Sequence, residues 1–135
     1  MVMRISRACL EQIVGAARAN PEQEICGLLL GHGYDILAVQ PAVNISDIPE
    51  KRFEIDPAVL IRAHKGARSG GPSVLGHYHS HPNGSTEPST CDAEMAIDQG
   101  ALWLICTPDG QHQLWRAGRE GLHGCFAKMD MDVAE

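Results

Sequence analysis

The sequence has few aromatic residues, no long apolar run and no excess of positive charge. Phenylalanine, tyrosine and tryptophan together make up 4% of the 135 residues. Trp103 and Trp115 are therefore expected to pack in the core rather than to stack on nucleic-acid bases. Lysine and arginine number 11 against 17 acidic residues, for a formal net charge of −6, which argues against binding to nucleic-acid phosphates. Every purely apolar stretch, including residues 28–30 and the longer 101–106, is too short to cross a membrane.

The cysteines also lack the pattern of a disulfide framework. They are odd in number and include no CxxC pair: Cys9, Cys26, Cys91, Cys106 and Cys125. This usage predicts a reducing compartment. The first six residues contain neither the apolar run nor the cleavage site of a signal peptide. We therefore expect a cytoplasmic protein.

Residues 1–135, with 44% hydrophobic side chains, are expected to form one domain with its own core. Apolar residues at helical spacing predict a helix capped by Ser6, and Asp56-Pro57 predicts the N-cap and first residue of a second helix. A third helix is predicted at 89–99. Strands are predicted at 25–30, 35–43, 73–80, 101–106, 112–115 and 122–131. This order predicts an α/β fold with a mixed sheet flanked by helices.

Two histidines, His79 and His81, are followed by Asp92 at a spacing that suits a zinc site. Side chains two residues apart on a strand point to the same face, so a strand over 73–80 directs both rings together. The Asn83-Gly84 turn then returns the chain, which lets Asp92 supply a third ligand. A catalytic zinc keeps three protein ligands and leaves its fourth position to water or substrate.

Each part of this pattern also has a structural explanation. A His-x-His pair alone is common, and Ser89 with Asp92 forms a variant capping box at a helix N-terminus. Capping and metal binding are compatible, because the cap fixes the first turn of the helix. The combination of His79, His81, Ser89 and Asp92 at this spacing favours a site for one Zn²⁺ per chain.

Hydrolysis of an amide also needs a group that accepts a proton from water and donates it to the leaving nitrogen. Glu24 directly precedes the apolar run 25–30, where a carboxylate is awkward unless it faces a site. Glu22, near the end of the first predicted helix, is the competing candidate. The residues themselves favour Glu24 but leave Glu22 open.

Three segments resemble the JAMM (MPN-plus) family of zinc metallopeptidases. They are Glu24-Ile25-Cys26-Gly27-Leu28-Leu29-Leu30-Gly31, Gly76-His77-Tyr78-His79-Ser80-His81-Pro82 and Pro88-Ser89-Thr90-Cys91-Asp92. The resemblance covers essentially the whole chain. It implies a curved mixed sheet, similar to that of cytidine deaminases, in an MPN-type domain.

The resemblance also implies a role for each matching residue. His79, His81 and Asp92 correspond to the zinc ligands. Glu24 corresponds to the glutamate that holds the catalytic water, and Ser89 to the serine that stabilises the tetrahedral intermediate. The free ring nitrogen of each ligand histidine is expected to have an acceptor of its own.

The short chain leaves no room for the insertions with which larger members choose ubiquitin linkages, so it resembles the minimal prokaryotic form. The implied substrate is the flexible C-terminal tail of a ubiquitin-like or sulfur-carrier protein, with cleavage of the peptide or isopeptide bond after it. Residues 53–56 are expected to offer a sheet edge to that tail. No nucleic-acid or membrane partner is expected, and the oligomeric state is not predicted.

Two residues near the pattern are not expected to bind the metal. His77 is expected to pack beside the site, and Cys91 to point away from Asp92.

Two other classes of protein share part of the pattern. RadC-like proteins linked to DNA repair have a similar histidine–serine–aspartate block, but the acidic composition does not favour DNA. A non-catalytic module stabilised by zinc would need neither Glu24 nor Ser89.

Overall fold

The computed structural model describes residues 2–135, which form seven strands and three α-helices. In chain order these are β1 (Val2–Ser6), α1 (Arg7–Ala19), β2 (Cys26–His32), β3 (Asp35–Ala42), α2 (Pro57–Arg68), β4 (Ser73–Ser80), α3 (Thr90–Met95), β5 (Leu102–Cys106), β6 (His112–Leu122) and β7 (Phe126–Ala134). The predicted mixture of helices and strands is confirmed.

The strands form one strongly curved sheet that closes on itself in the order β1-β3-β2-β4-β5-β6-β7. The closure arises because β1 pairs in parallel with both β3 and β7. β4 and β5 are also parallel, and the remaining neighbours are antiparallel. The sheet is therefore mixed, as predicted. β1 is not predicted from its own sequence, because its pairing partners lie far away along the chain.

The helix starts follow the capping residues. The hydroxyl of Ser6 accepts a hydrogen bond from the Cys9 amide at 3.1 Å, and Asp56 caps α2 with Pro57 in its first turn. The prediction for the third helix is wrong at its C-terminal end, since α3 ends at Met95 rather than near residue 99. The chain must turn there to enter β5, and the Gly100 amide donates to the Ala117 carbonyl at 2.8 Å.

Two apolar clusters cover the two faces of the sheet, as the alternation along β5 illustrates. Leu104 packs in a cluster with the buried face of α1, whereas its neighbours Trp103 and Ile105 pack in a second cluster that includes Trp115 and Phe53. The expected packing role of both tryptophans is confirmed by their burial. The second cluster adjoins the histidines of β4 and thus supports the predicted site.

Within residues 2–135, none of the helices combines the length and the apolar character that crossing a bilayer would require.

A close approach of strands at Gly27 predicts the effect of adding a methyl group there. The Cβ of Gly27→Ala would overlap the Tyr78 ring on β4 and the Gln40 carbonyl on β3. We expect a loss of about 1–3 kcal/mol in the free energy of unfolding, measured by urea denaturation. Gly15→Ala is the control, because position 15 of α1 is exposed with open space around it and the change should stabilise the helix by up to about 1 kcal/mol. Equal stability of the two variants would contradict this packing.

Candidate functional site

Four side chains from three separate parts of the chain meet in one buried cluster. Glu24, His79, His81 and Asp92 each contribute a potential ligand atom, and these atoms lie within 4.8 Å of one another. All four residues are buried, with relative exposures of 5% or less. Buried polar groups at this density require either mutual hydrogen bonds or a metal ion.

The pairing of β2 with β4 brings the glutamate to the histidines. The antiparallel register sets Cys26 opposite His79, and the Ser80 amide continues the ladder by donating to the Ile25 carbonyl at 3.1 Å. This register places Glu24, two residues before Cys26, beside His81. His79 lies in β4 and His81 directly follows it, and both rings reach the same cluster, as predicted from the period of a strand.

His79, His81 and Asp92 form a nearly equilateral triangle of ligand atoms. The two Nε2 atoms are 3.0 Å apart, and Asp92 Oδ2 lies 3.2 Å from Nε2 of His79 and 3.1 Å from that of His81. Ligands about 2.0–2.1 Å from a tetrahedral zinc are roughly 3.3 Å apart. The triangle therefore has nearly the size that a zinc ion requires.

The second ring nitrogens of the two histidines are held in different ways. Nδ1 of His81 lies 2.9 Å from the Ser85 carbonyl, which is the acceptor expected for a ligand histidine. Nδ1 of His79 is buried without a hydrogen-bond partner among residues 2–135. Its ring instead stacks on Phe53, with the centroids 4.3 Å apart and the planes 22° from parallel. The expected acceptor is thus found for His81 but not for His79.

Electrostatics distinguish the two histidines. Burial lowers the pKa of His79, and the charge and hydrogen bond of Asp92 offset this only in part. For His81, the hydrogen bond and charge of Asp92 outweigh the opposing effect of burial and raise the pKa.

Asp92 is positioned by the first turn of α3. The Ser89 hydroxyl accepts from the Asp92 amide at 3.0 Å, and Asp92 Oδ2 accepts from the Ser89 amide at 2.8 Å. This is the capping box expected from the sequence. Burial works to raise the pKa of Asp92, but the neighbouring His79, His81 and Ser89 amide outweigh it and lower the pKa. The carboxylate is therefore ionised and ready to bind a cation.

Glu24 is held through its backbone rather than through its carboxylate. Its amide donates to the Pro49 carbonyl at 2.7 Å, and its carbonyl accepts from Asn44 Nδ2 at 2.9 Å. Ser80 holds the residues on either side of Glu24. Its hydroxyl accepts from the Ile25 amide at 2.9 Å and donates to the Gln23 carbonyl at 3.4 Å. Sequence reasoning missed Asn44 and Ser80, because hydrogen bonds between residues so far apart leave no local pattern.

The carboxylate of Glu24 has the properties of a proton carrier. Burial raises its pKa to about 7, a shift that the positive charge of His81 partly reverses and that Asp92 increases. Its Oε1 atom is buried without a hydrogen-bond partner among the described residues. By contrast, the competing Glu22 is exposed to solvent. The geometry therefore favours Glu24.

The donor set fits one zinc ion. Two imidazole nitrogens and one carboxylate oxygen are common zinc ligands, and three of them leave one tetrahedral position free. Without a cation, the carboxylate of Glu24 would be buried here with little compensation, whereas Asp92 accepts from the Ser89 amide and faces both histidine rings. The unpartnered Oε1 of Glu24 beside the triangle is consistent with a further group that completes the site.

Neighbouring residues take no part in the cluster. His77 lies between Phe53 and Trp103, with ring centroids 5.4 and 4.2 Å away, and burial lowers its pKa to about 3. It packs beside the site, as expected. The thiol of Cys91 accepts a hydrogen bond from the Arg52 guanidinium at 3.5 Å and lies outside the ligand group.

Residues 53–56 do not form the free sheet edge that the sequence analysis expects. Ile55 makes a single bridge with Asn44. The Glu54 amide donates to the Asn44 side chain at 3.1 Å, and its carbonyl accepts from the Ile45 amide at 3.0 Å. Both backbone groups of Glu54 are thus already paired, so an added strand finds neither free.

An open groove leads from solvent to the cluster. It has a volume of about 490 Å³, and its walls include Glu24, His81 and Ser89 together with Lys51 and Asn83. The glutamate and the cap serine therefore face the same accessible space.

Comparison with known proteins agrees with this geometry. The family model described as prokaryotic homologs of the JAB domain matches residues 6–118. A desampylase from Haloferax volcanii is 35% identical over 97 residues, which are 70% of this chain and 70% of the relative. A probable TtuB-protein conjugate cleaving protease from Thermus thermophilus is 31% identical over 96 residues, which are 71% of this chain and 64% of the relative.

A solved structure extends the likeness to the fold. The solution structure of a protein from Desulfitobacterium hafniense superposes with a TM-score of 0.83 at 26% identity, and covers 99% of this chain and 94% of the other. The match of the family model over residues 6–118 includes Glu24, His79, His81, Ser89 and Asp92. The chain is a member of the prokaryotic branch of the JAB-domain (JAMM/MPN) family.

Proposed function

We propose that this protein is a zinc-dependent metallopeptidase that acts on ubiquitin-like or sulfur-carrier proteins. It hydrolyses the peptide or isopeptide bond that follows their C-terminal tail. The observation that carries this proposal is the unpartnered, buried carboxylate of Glu24 beside the triangle of His79, His81 and Asp92. The names of the Haloferax and Thermus relatives support the substrate class.

His79, His81 and Asp92 hold the zinc in this proposal. When bound, zinc supplies a Lewis acid that polarises a carbonyl and makes water nucleophilic near neutral pH. The ring of His81 is oriented by the Ser85 carbonyl and that of His79 by Phe53, so the protein fixes both nitrogens before metal arrives. The two imidazole nitrogens favour zinc over ions that prefer six oxygen ligands.

Glu24 carries the proton. Its carboxylate accepts a proton from the attacking water and later donates it to the leaving amine as the carbon–nitrogen bond breaks. A pKa of about 7, raised chiefly by burial, suits a group that must do both at neutral pH. The backbone contacts to Pro49 and Asn44 keep the carboxylate at the cluster without using either of its oxygens.

Ser89 stabilises the developing negative charge. Its hydroxyl oxygen accepts from the Asp92 amide, which leaves the hydroxyl proton free to donate. Because Ser89 lies on the groove wall with Glu24, this proton can point into the space that a scissile carbonyl would occupy. Donation to the carbonyl oxygen in the transition state lowers the barrier.

The groove supports an extended tail as substrate. It is partly open to solvent, so a flexible peptide can enter lengthwise. Glycine, which has no side chain, fits most easily beside the buried cluster. The free thiols of all five cysteines support a cytoplasmic location for the reaction.

Intact-mass analysis tests the proposal directly. A ubiquitin-like protein with residues beyond its Gly-Gly terminus, and the same protein joined to a lysine, are incubated with zinc-loaded enzyme. We expect release of the extension or the lysine at the last glycine. Glu24→Gln should keep the zinc and slow cleavage by about 100-fold or more. Glu22→Gln, the matched control, should cleave at the wild-type rate.

Three outcomes would contradict this assignment. Full activity of Glu24→Gln would remove Glu24 from the mechanism. Bound zinc without cleavage of either substrate would favour a zinc-stabilised binding module, whereas a salt-sensitive shift on DNA would favour a RadC-like role.

The metal ligands are tested by zinc content and affinity. Replacing His79, His81 or Asp92 by alanine should weaken zinc binding strongly. The loss should exceed the roughly 10- to 100-fold that follows when a residue hydrogen-bonded to a metal ligand is removed. Competition with a chelator, followed by elemental analysis, measures this loss. His112→Ala removes an exposed imidazole and serves as the control. A ligand variant that still binds zinc as wild type does would disprove that ligand.

Ser89→Ala separates catalysis from capping. We expect kcat to fall by about 100- to 1000-fold, because the oxyanion donor is lost. The free energy of unfolding should fall by only about 0.5–2 kcal/mol through loss of the α3 cap. Ser89→Thr keeps both the hydroxyl and the cap and should retain most of the activity. A Ser89→Ala enzyme with normal kcat and full zinc would refute the oxyanion role.

A further inference from the structure

The loop before Ser89 is held by three side chains that bind three of its carbonyl groups. His81 Nδ1 contacts the Ser85 carbonyl at 2.9 Å, and the indole N–H of Trp115 donates to the Thr86 carbonyl at 2.9 Å. His123 Nε2 lies 2.8 Å from the carbonyl of Pro88. Only His81 belongs to the metal-binding cluster, so Trp115 and His123 hold the loop before Ser89 from outside that cluster.

The peptide group between Pro88 and Ser89 is held from both sides. Its carbonyl accepts from His123, and its N–H donates to the Asp92 carboxylate at 2.8 Å. A peptide is planar, so these two bonds fix its orientation. That orientation in turn sets the Cα of Ser89 and the direction of its hydroxyl. Through this peptide, His123 is linked to the Asp92 carboxylate that faces the histidine pair.

Both remote donors belong to the hairpin formed by β6 and β7. Trp115 is buried on β6, opposite Lys128 of β7. His123 occupies the connection between the strands, where the Gly124 amide donates to the Gly121 carbonyl at 2.9 Å. This connection lies beyond residues 6–118, which match the family model. The contact with Pro88 therefore comes from outside the matched segment.

His123 adopts an uncommon backbone conformation at this contact. Its φ is 55°, and among residues 2–135 it alone has a positive φ without being a glycine. Left-handed conformations are unfavourable for residues with a Cβ, although histidine tolerates them better than most. The tight turn holds this conformation while the ring of His123 contacts Pro88.

We propose that Trp115 and His123 are positioning residues that fix the loop before Ser89, Trp115 at the Thr86 carbonyl and His123 at the Pro88–Ser89 peptide, and thereby aim the Ser89 hydroxyl. This inference rests on the proposed function of Ser89. Neither residue touches the substrate, and both act through the loop that ends at the α3 cap. The hairpin thus serves the reaction although it supplies no ligand and no proton carrier.

Variants of His123 separate positioning from stability. His123→Gly removes the ring but suits the positive φ, so the melting temperature should equal or exceed that of the wild type. We nevertheless expect kcat to fall about three- to tenfold, the effect of one neutral hydrogen bond, with little change in KM or zinc content. His123→Gln should recover part of the loss through its amide N–H. Trp115→Phe, which removes the indole N–H, should lower kcat similarly.

A second measurement does not depend on cleavage. Amide hydrogen exchange by NMR in the zinc-loaded protein reports the Ser89 N–H, whose bond to Asp92 should open more often once the peptide is released. We expect faster exchange at Ser89 in His123→Gly but not in His32→Ala, which removes an exposed imidazole at the end of β2. If the wild-type protein cleaves neither substrate, that result counts against the proposed function. The exchange rate at Ser89 would still test whether His123 positions the Pro88–Ser89 peptide.

Two results would overturn the positioning role. In one, His123→Gly has the kcat and the Ser89 exchange rate of the wild type. In the other, activity falls only in proportion to lost zinc or lost melting temperature, which would make the residue merely structural.

Discussion

The antiparallel pairing of β2 with β4 is the constraint on which the site depends. It sets Cys26 opposite His79 and so brings Glu24 to the two ligand histidines. A shift of one residue in this register would turn each side chain to the opposite face of its strand and separate the glutamate from the metal triangle. Ser80 reinforces the register, because its hydroxyl bonds on both sides of Glu24. Fold and chemistry are thus fixed by the same hydrogen bonds.

Burial gives the cluster its chemical character. Glu24 and Asp92 are both removed from water, but their environments have opposite effects: the pKa of Glu24 is raised to about 7, whereas the pKa of Asp92 is lowered. Two carboxylates in one cavity therefore take different roles, one as a proton carrier and one as an anionic ligand. A divalent cation held by His79, His81 and Asp92 would add positive charge beside the unpartnered carboxylate of Glu24.

The sequence predicts those parts of the site that depend on local geometry. The shared face of His79 and His81 follows from the period of a strand, and the Ser89–Asp92 box follows from helix capping. The end of α3, the pairing of β1, and the contacts of Asn44 and His123 were not predictable in this way. Each depends on groups that are distant along the chain, so tertiary packing decides it and no local pattern records it.

X-ray absorption at the zinc edge of the zinc-loaded protein shows which atoms bind the metal. We expect only nitrogen and oxygen donors, at about 2.0–2.1 Å, with the multiple-scattering signal of two imidazoles. One of these donors should be exchangeable solvent, since three protein ligands leave a position open. A sulfur donor at about 2.3 Å would instead make Cys91 a ligand, and a fully protein-bound ion would make the site structural. Either result would disprove a catalytic zinc held by His79, His81 and Asp92.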